Sequence, residues 1–139
     1  MIRGVGVDIV SIQRFQRWKT FPPERLNTIF SAQEISDCRA DDKTLLSDKL
    51  AARFAAKEAF YKALSVVCVS YGLTATTFSL RSICTHVEVR YGTWGVPVLH
   101  VAWDRIEQIM GARVPRVDVH LSLSHERDMA VAFVVLEEK

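Results

Sequence analysis

Residues 49–65 contain neither glycine nor proline. A stretch that long without a breaker predicts a single helix over Lys49–Ser65, with Asp48 as its cap. At 100° per residue, Leu50, Phe54, Tyr61 and Leu64 form one stripe. Ala51, Ala52, Ala55, Ala59 and Ala63 form a broad second stripe beside it. Methyl side chains permit close packing on this face. Glu58 and Lys62 fall between the two stripes, one turn apart. Arg53, Lys49 and Phe60 lie on another side, with Lys57 towards the aromatic edge.

Ile2–Val10 alternates as a strand, with Val5, Val7 and Ile9 on one face and Gly4, Gly6, Asp8 and Val10 on the other. Two glycines beside Asp8 remove side-chain bulk and open that face to a close approach. Short helices are expected from Ser11, as cap, to about Trp18, over Pro23–Ile29, and from Ser31 over Ala32–Cys38. Residues 66–80 read mostly as loop. Cys84–Tyr91 and Val96–Trp103 read as a hairpin around Gly92–Gly95. Asp104 caps a helix to about Met110, which Gly111 ends. Val117–Ser124 alternates, whereas Met129–Leu136 is apolar on both faces, as a central strand is. The fold class expected is α+β, helices packed on an antiparallel sheet, in one domain over residues 1–139.

Composition excludes several classes. The longest apolar runs fall far short of the roughly 20 residues a membrane helix needs. Met1-Ile2-Arg3 leads straight into a strand-like segment, so no signal peptide and a cytoplasmic protein are expected. Cys38, Cys68 and Cys84 are odd in number and widely spaced, which suits neither a zinc site nor a disulfide framework. A net charge of +2 is no nucleic-acid signature. Cations nevertheless crowd the N-terminal segment, where Arg3, Arg14, Arg17, Lys19 and Arg25 face only Asp8 and Glu24. That is either a solvated face or a docking patch for an acidic partner.

A carboxylate in apolar company is costly unless something pairs with it. Asp8 and Glu58 together fit a magnesium ion, which takes oxygen ligands from one or two carboxylates, water and substrate phosphates. The plainer alternative makes Asp8 a helix cap and pairs Glu58 with Lys62. Lys57, Lys62 and Arg53 are either phosphate-binding cations or solvated helix side chains. Ser122-Leu123-Ser124-His125-Glu126 closes a strand with groups that suit a phosphate. Ser124 and His125 point to opposite faces of that strand and no G-x-S-x-G elbow is present, which argues against a serine hydrolase.

In order along the chain, four segments resemble a known family. They are Gly6-Val7-Asp8-Ile9-Val10-Ser11-Ile12 with Arg14-Phe15; Phe30-Ser31 with Glu34-Ile35 and Cys38; Leu50 through Leu64 around Lys57-Glu58-Ala59; and Leu121–Glu126 followed by Ala130–Val134. The family is the holo-[acyl-carrier-protein] synthases, the short bacterial type of 4′-phosphopantetheinyl transferase. The resemblance implies that fold, and transfer of the 4′-phosphopantetheine arm of coenzyme A to a serine of apo acyl carrier protein, releasing adenosine 3′,5′-bisphosphate, in support of fatty acid biosynthesis. It implies magnesium on Asp8 and Glu58 against the pyrophosphate, with Lys62 on the phosphates. Glu58, or a water held by the metal, takes the serine proton. Arg53, Lys57, Ser124 and His125 become coenzyme A contacts, and Arg14, Arg17 and Arg25 dock the acidic carrier helix. A homotrimer with active sites shared between protomers is implied too, Ser124 and His125 coming from the neighbour.

Two positions depart from the family pattern. Longer relatives carry a third acid where this chain has Val10, so water fills that coordination position. Where the family often has a lysine, between Gly95 and Pro97, this chain has Val96. Two other readings stay open at this point: a non-catalytic module that binds acidic proteins through the basic N-terminal segment, and another magnesium phosphotransferase or phosphohydrolase.

Overall fold

A computed structural model describes residues 1–74 and 77–139. Strand β1 (Ile2–Ser11) runs into a 3₁₀ helix over Ile12–Thr20. Helices α1 (Pro23–Leu26) and α2 (Ala32–Asp37) follow, and then the long α3 (Ser47–Ser70). Helix α4 (Leu80–Ile83) leads into β2 (Val87–Tyr91), β3 (Pro97–Val101) and α5 (Trp103–Met110). Strands β4 (Val117–Glu126) and β5 (Met129–Glu138) close the chain. The architecture is the expected α+β one. A three-stranded antiparallel sheet has the order β1-β5-β4, and β2 and β3 form a separate antiparallel pair. The doubly apolar β5 is indeed the central strand.

Helix α3 packs along β1, with β5 and the 3₁₀ helix also against it. The alanine stripe and the two glycines explain the closeness. A Cβ at Gly6 would lie 1.9 Å from the Ala59 carbonyl oxygen, and one at Gly4 2.3 Å from that of Ala63. Backbone therefore rests on backbone, and the face of β1 carrying Gly4, Gly6, Asp8 and Val10 is the buried one. Its other face, with Val5, Val7 and Ile9, is exposed together with Phe133 of β5.

Several sequence expectations shift at element ends. Helix α3 runs to Ser70 rather than Ser65, because Val67 and Cys68 are buried and the packing outweighs their weaker helix propensity. The loop expected over 66–80 is thus shortened at its start and ends against α4 from Leu80; where that expectation covers residues 75 and 76 it lies outside the described residues. Asp48 and Asp104 sit in the first turns of α3 and α5 rather than at the caps, where their charge still meets the helix dipole favourably. Ser11 makes no side-chain cap; instead Ile12 N donates to Asp128 O at 2.7 Å, tying the 3₁₀ helix to the β4–β5 turn. Strand β2 starts at Val87, since Cys84–His86 forms a 3₁₀ turn.

Candidate active site

The close packing of β1 on α3 sets Asp8 opposite the turn of helix carrying Glu58 and Lys62. The Lys62 ammonium donates to Asp8 Oδ1 at 2.8 Å and to the Val7 carbonyl at 3.0 Å. Asp8 is buried while the Lys62 side chain is 51 % exposed. Lys62 therefore pairs across the fold with Asp8, not along the helix with Glu58. Glu58 is half-buried, and its pKa lies above the ordinary value. Burial is the main cause, followed by the adjoining Asp8 carboxylate; Lys62 and Arg14 pull the other way.

Asp8 Oδ2 is buried with no hydrogen-bond partner. Its carboxylate neighbour offers it more negative charge and, when ionised, no proton. Two hard oxygen donors left in this state fit a divalent cation such as magnesium. Among the described residues no group of three or more His, Cys, Asp or Glu side chains gathers as a metal site. A magnesium ion held by Asp8 and Glu58 would take its remaining ligands from water and substrate oxygens.

Lys57 departs from the expectation that it reaches a phosphate. It is 1 % exposed, and its ammonium donates to Glu34 Oε1 at 2.8 Å, to the Cys84 carbonyl at 2.7 Å and to the Val87 carbonyl. All three N–H bonds are thus used inside the protein. Glu34 is fully buried as well; its other oxygen accepts from Val89 N at 3.1 Å, and Oε1 also accepts from Ser31 N in a capping box. Sequence reasoning gave Glu34 no such role, although Ser31-x-x-Glu34 is a capping-box signal. What the spacing could not show is its second duty, as the counter-ion of Lys57.

Arg53 is also buried rather than solvated. Its guanidinium donates to the Lys49 carbonyl at 3.3 Å and lies 5.2 Å from the centre of the Tyr91 ring, and its Nε is buried without a partner. Arg53 and His125 line one cleft of about 440 Å³ with Asp37, Asp48, Lys49, Ala52 and Tyr91. Ser124 does not line it: it pairs with Val131 and shares the open face of the sheet, while His125 pairs with Ala130. Tyr91 and Lys49 are cleft residues that sequence reasoning did not select.

Arg14, Arg17 and Arg25 are exposed. The Arg14 guanidinium lies 5.0 Å from the centre of the Phe54 ring, and Arg25 stacks on Phe21 at 3.7 Å. Arg14 and Arg25 line a second cleft of about 330 Å³ with Trp18, Phe54 and Arg81; Arg17 lies outside it. Cys38 and Cys84 are buried, and desolvation pushes both thiols up to about 11, which suits packing rather than nucleophilic chemistry.

A strand carrying an unsatisfied carboxylate is thus laid on a helix that supplies a second carboxylate and a lysine. The family model of the 4′-phosphopantetheinyl transferase superfamily matches residues 4–132, and the chain belongs to that family. Within it, the chain is 38 % identical over 141 residues to the holo-[acyl-carrier-protein] synthase of Halothermothrix orenii, covering 99 % of both. It is similar in structure to the acyl carrier protein synthase of Mycobacterium tuberculosis, with a TM-score of 0.67 and 32 % identity over all of both chains. It is likewise similar to the Bacillus anthracis holo-(acyl-carrier-protein) synthase in complex with CoA (3′,5′-ADP), with a TM-score of 0.67, 28 % identity, and coverage of 100 % of this chain and 99 % of that one.

Proposed function

We propose that this protein is a holo-[acyl-carrier-protein] synthase, moving the 4′-phosphopantetheine arm of coenzyme A onto a serine of apo acyl carrier protein, in support of fatty acid biosynthesis. Family membership supports the reaction class. The observation that carries the site is Asp8, with Lys62 on one carboxylate oxygen and the other buried, unpartnered and beside Glu58. Asp8 and Glu58 would hold magnesium, which when bound supplies charge neutralisation at the pyrophosphate.

The chain's own groups do the remaining work. Lys62, more than half exposed, turns its charge to the phosphates and to the departing adenosine 3′,5′-bisphosphate. Glu58, the half-exposed member of the carboxylate pair, receives the proton of the serine hydroxyl as that oxygen bonds to phosphorus. The nucleotide end lies in the cleft of Arg53 and His125, which in the shared-site trimer belongs to the neighbour of the chain whose Asp8 and Glu58 face the pyrophosphate; Ser124 lies outside that cleft, on the open sheet face. Lys57 has no free N–H with which to join them. Arg14 and Arg25, which line a cleft with Trp18, Phe54 and Arg81, dock the acidic helix of the carrier, and the exposed Arg17, outside that cleft, is a further contact.

A homotrimer in which protomers share active sites is part of the same reading. The exposed apolar sheet face supports it: Ile9 is 62 % exposed and lies beside Val5, Val7 and Phe133. Light scattering on the eluting protein tests it, a monomeric mass counting against it. Among the described residues no helix is long and apolar enough to cross a membrane, and we place the protein in the cytoplasm.

The direct test incubates the protein with coenzyme A, magnesium and apo acyl carrier protein and weighs the carrier by intact mass spectrometry. The expected result is a gain of one phosphopantetheine arm that disappears with EDTA. A folded protein that leaves several apo carriers unmodified sinks the reading.

A further inference from the structure

The cleft holding Arg53 and His125 contains one feature that the resemblance does not assign. Tyr91 ends β2 at its hydrogen-bonded edge, opposite Pro97 in β3, and the Gly92 N–H to Val96 carbonyl bond of 2.9 Å closes the turn just beyond it. The hairpin thus holds the tyrosine in place before any ligand arrives. Behind the ring stands the Arg53 guanidinium, 5.2 Å from its centre and itself buried in the helix–sheet seam. Tyr91 is nevertheless 48 % exposed, within a cleft of about 440 Å³. One side of it is backed by a delocalised cation, and much of the remainder is open to solvent.

The other groups in the cleft divide by chemistry. Lys49, Arg53 and His125 suit a phosphate, with the Arg53 guanidinium 3.9 Å from Asp37 at the cleft wall. Asp37 and Asp48 on the same wall suit hydroxyl or amino groups. Among the described residues that line it, the aromatic rings are those of Tyr91 and His125, and the Tyr91 ring has Arg53 behind it. A flat heteroaromatic ring is the natural occupant of such a surface, and cation–π contact from behind the tyrosine strengthens the platform.

We propose that Tyr91 stacks the nucleobase of the coenzyme A nucleotide end and is a determinant of affinity for that end. This rests on the transferase reading and extends it from the reacting pyrophosphate to the base. The base is remote from the bond that breaks. Stacking therefore holds substrate and transition state about equally and sets KM more than kcat.

The test compares Tyr91→Ala and Tyr91→Phe with the unaltered protein in steady-state transfer to apo carrier. Inhibition by adenosine 3′,5′-bisphosphate, and by ribose 3,5-bisphosphate, which lacks the base, is measured alongside. Tyr91→Ala is expected to raise the KM for coenzyme A and the inhibition constant of the adenosine compound about tenfold or more, the size of a lost base–aromatic stack. Its kcat should stay within about twofold, since the contact is uniform. Tyr91→Phe should behave as the unaltered protein does, and inhibition by the base-free compound should be the same in all three. Unchanged constants in Tyr91→Ala overturn the proposal. So does an equal loss for the base-free compound, which would show Tyr91 acting on the phosphate groups through Arg53. Failure of the unaltered protein to modify any carrier is a separate outcome that refutes the transferase reading itself.

Discussion

Lys57 and Lys62 stand five residues apart on α3 and meet opposite fates. Lys57 is 1 % exposed, with every N–H donated to Glu34 and two backbone carbonyls; Lys62 is 51 % exposed and holds one oxygen of a carboxylate whose other oxygen has no partner. The first network is closed and joins α2, α3 and β2. The second is open and lacks what a cation would supply. Both are lysine–carboxylate pairs within 2.8 Å. Geometry of contact therefore does not tell structure from chemistry; completeness does. A satisfied buried pair rigidifies, whereas an unsatisfied one is a cost the fold carries for a ligand.

Removing one partner from each network separates the two. Lys57→Ala leaves Glu34 buried without its counter-ion and should cost about 3–5 kcal/mol of stability, seen as a large drop in the urea midpoint. Asp8→Ala should lower transfer at least about a hundredfold, the scale for losing one charge-stabilising group, while its urea midpoint stays near that of the unaltered protein. A collapse of stability in Asp8→Ala would make Asp8 a member of the core rather than of the site. Lys62→Ala should fall between the two in kind. Its transfer rate drops about ten- to a hundredfold, measured by single-turnover conversion of carrier, and its stability falls by about 1–3 kcal/mol, because the buried Asp8 carboxylate is left without its cation. The smallest effect is expected when the closed network is removed whole. In Lys57→Met with Glu34→Leu no charge is left unpaired, and much of the stability lost in Lys57→Ala should return. The Ser31 and Val89 N–H groups lose an acceptor in that double variant, so its urea midpoint should still lie somewhat below that of the unaltered protein. A double variant as unstable as Lys57→Ala would mean the pair stabilises by more than cancelling its own burial.

The glycines add a check on how the open network is placed. Gly6→Ala drives a methyl group to 1.9 Å from the Ala59 carbonyl. The strand must lift from the helix, so stability should fall by at least about 1–3 kcal/mol and transfer should fall with it, because Asp8 rides on the same strand. Calorimetry and the carrier assay on the same sample measure both; lost stability with full transfer would separate strand packing from the position of Asp8.

Much of this was readable before any coordinates. The breaker-free run around Glu58, the alternation of Ile2–Val10, the Gly-x-Gly-x-Asp face, the doubly apolar closing strand and the order of the four family segments all follow from short-range pattern. They specify a long helix, a strand with one face open to a close approach and, by resemblance, the family. Asp8 and Glu58 also stood out in the sequence, since carboxylates among apolar neighbours are rare enough to call for a partner.

Partners were a different matter. On the helical wheel Lys57 and Arg53 looked like surface cations, and Glu58 had Lys62 within reach one turn away. The tertiary structure instead gave Lys57 to Glu34, 23 residues distant, Lys62 to Asp8, 54 residues distant, and set Arg53 behind Tyr91 in a cleft with His125. Helix and strand periodicities act over a few residues and are written in the local order of the chain. Which charge meets which is decided by the packing of whole elements: β1 pressed on α3 through two glycines, and α2 and β2 closed over the other side of the same helix.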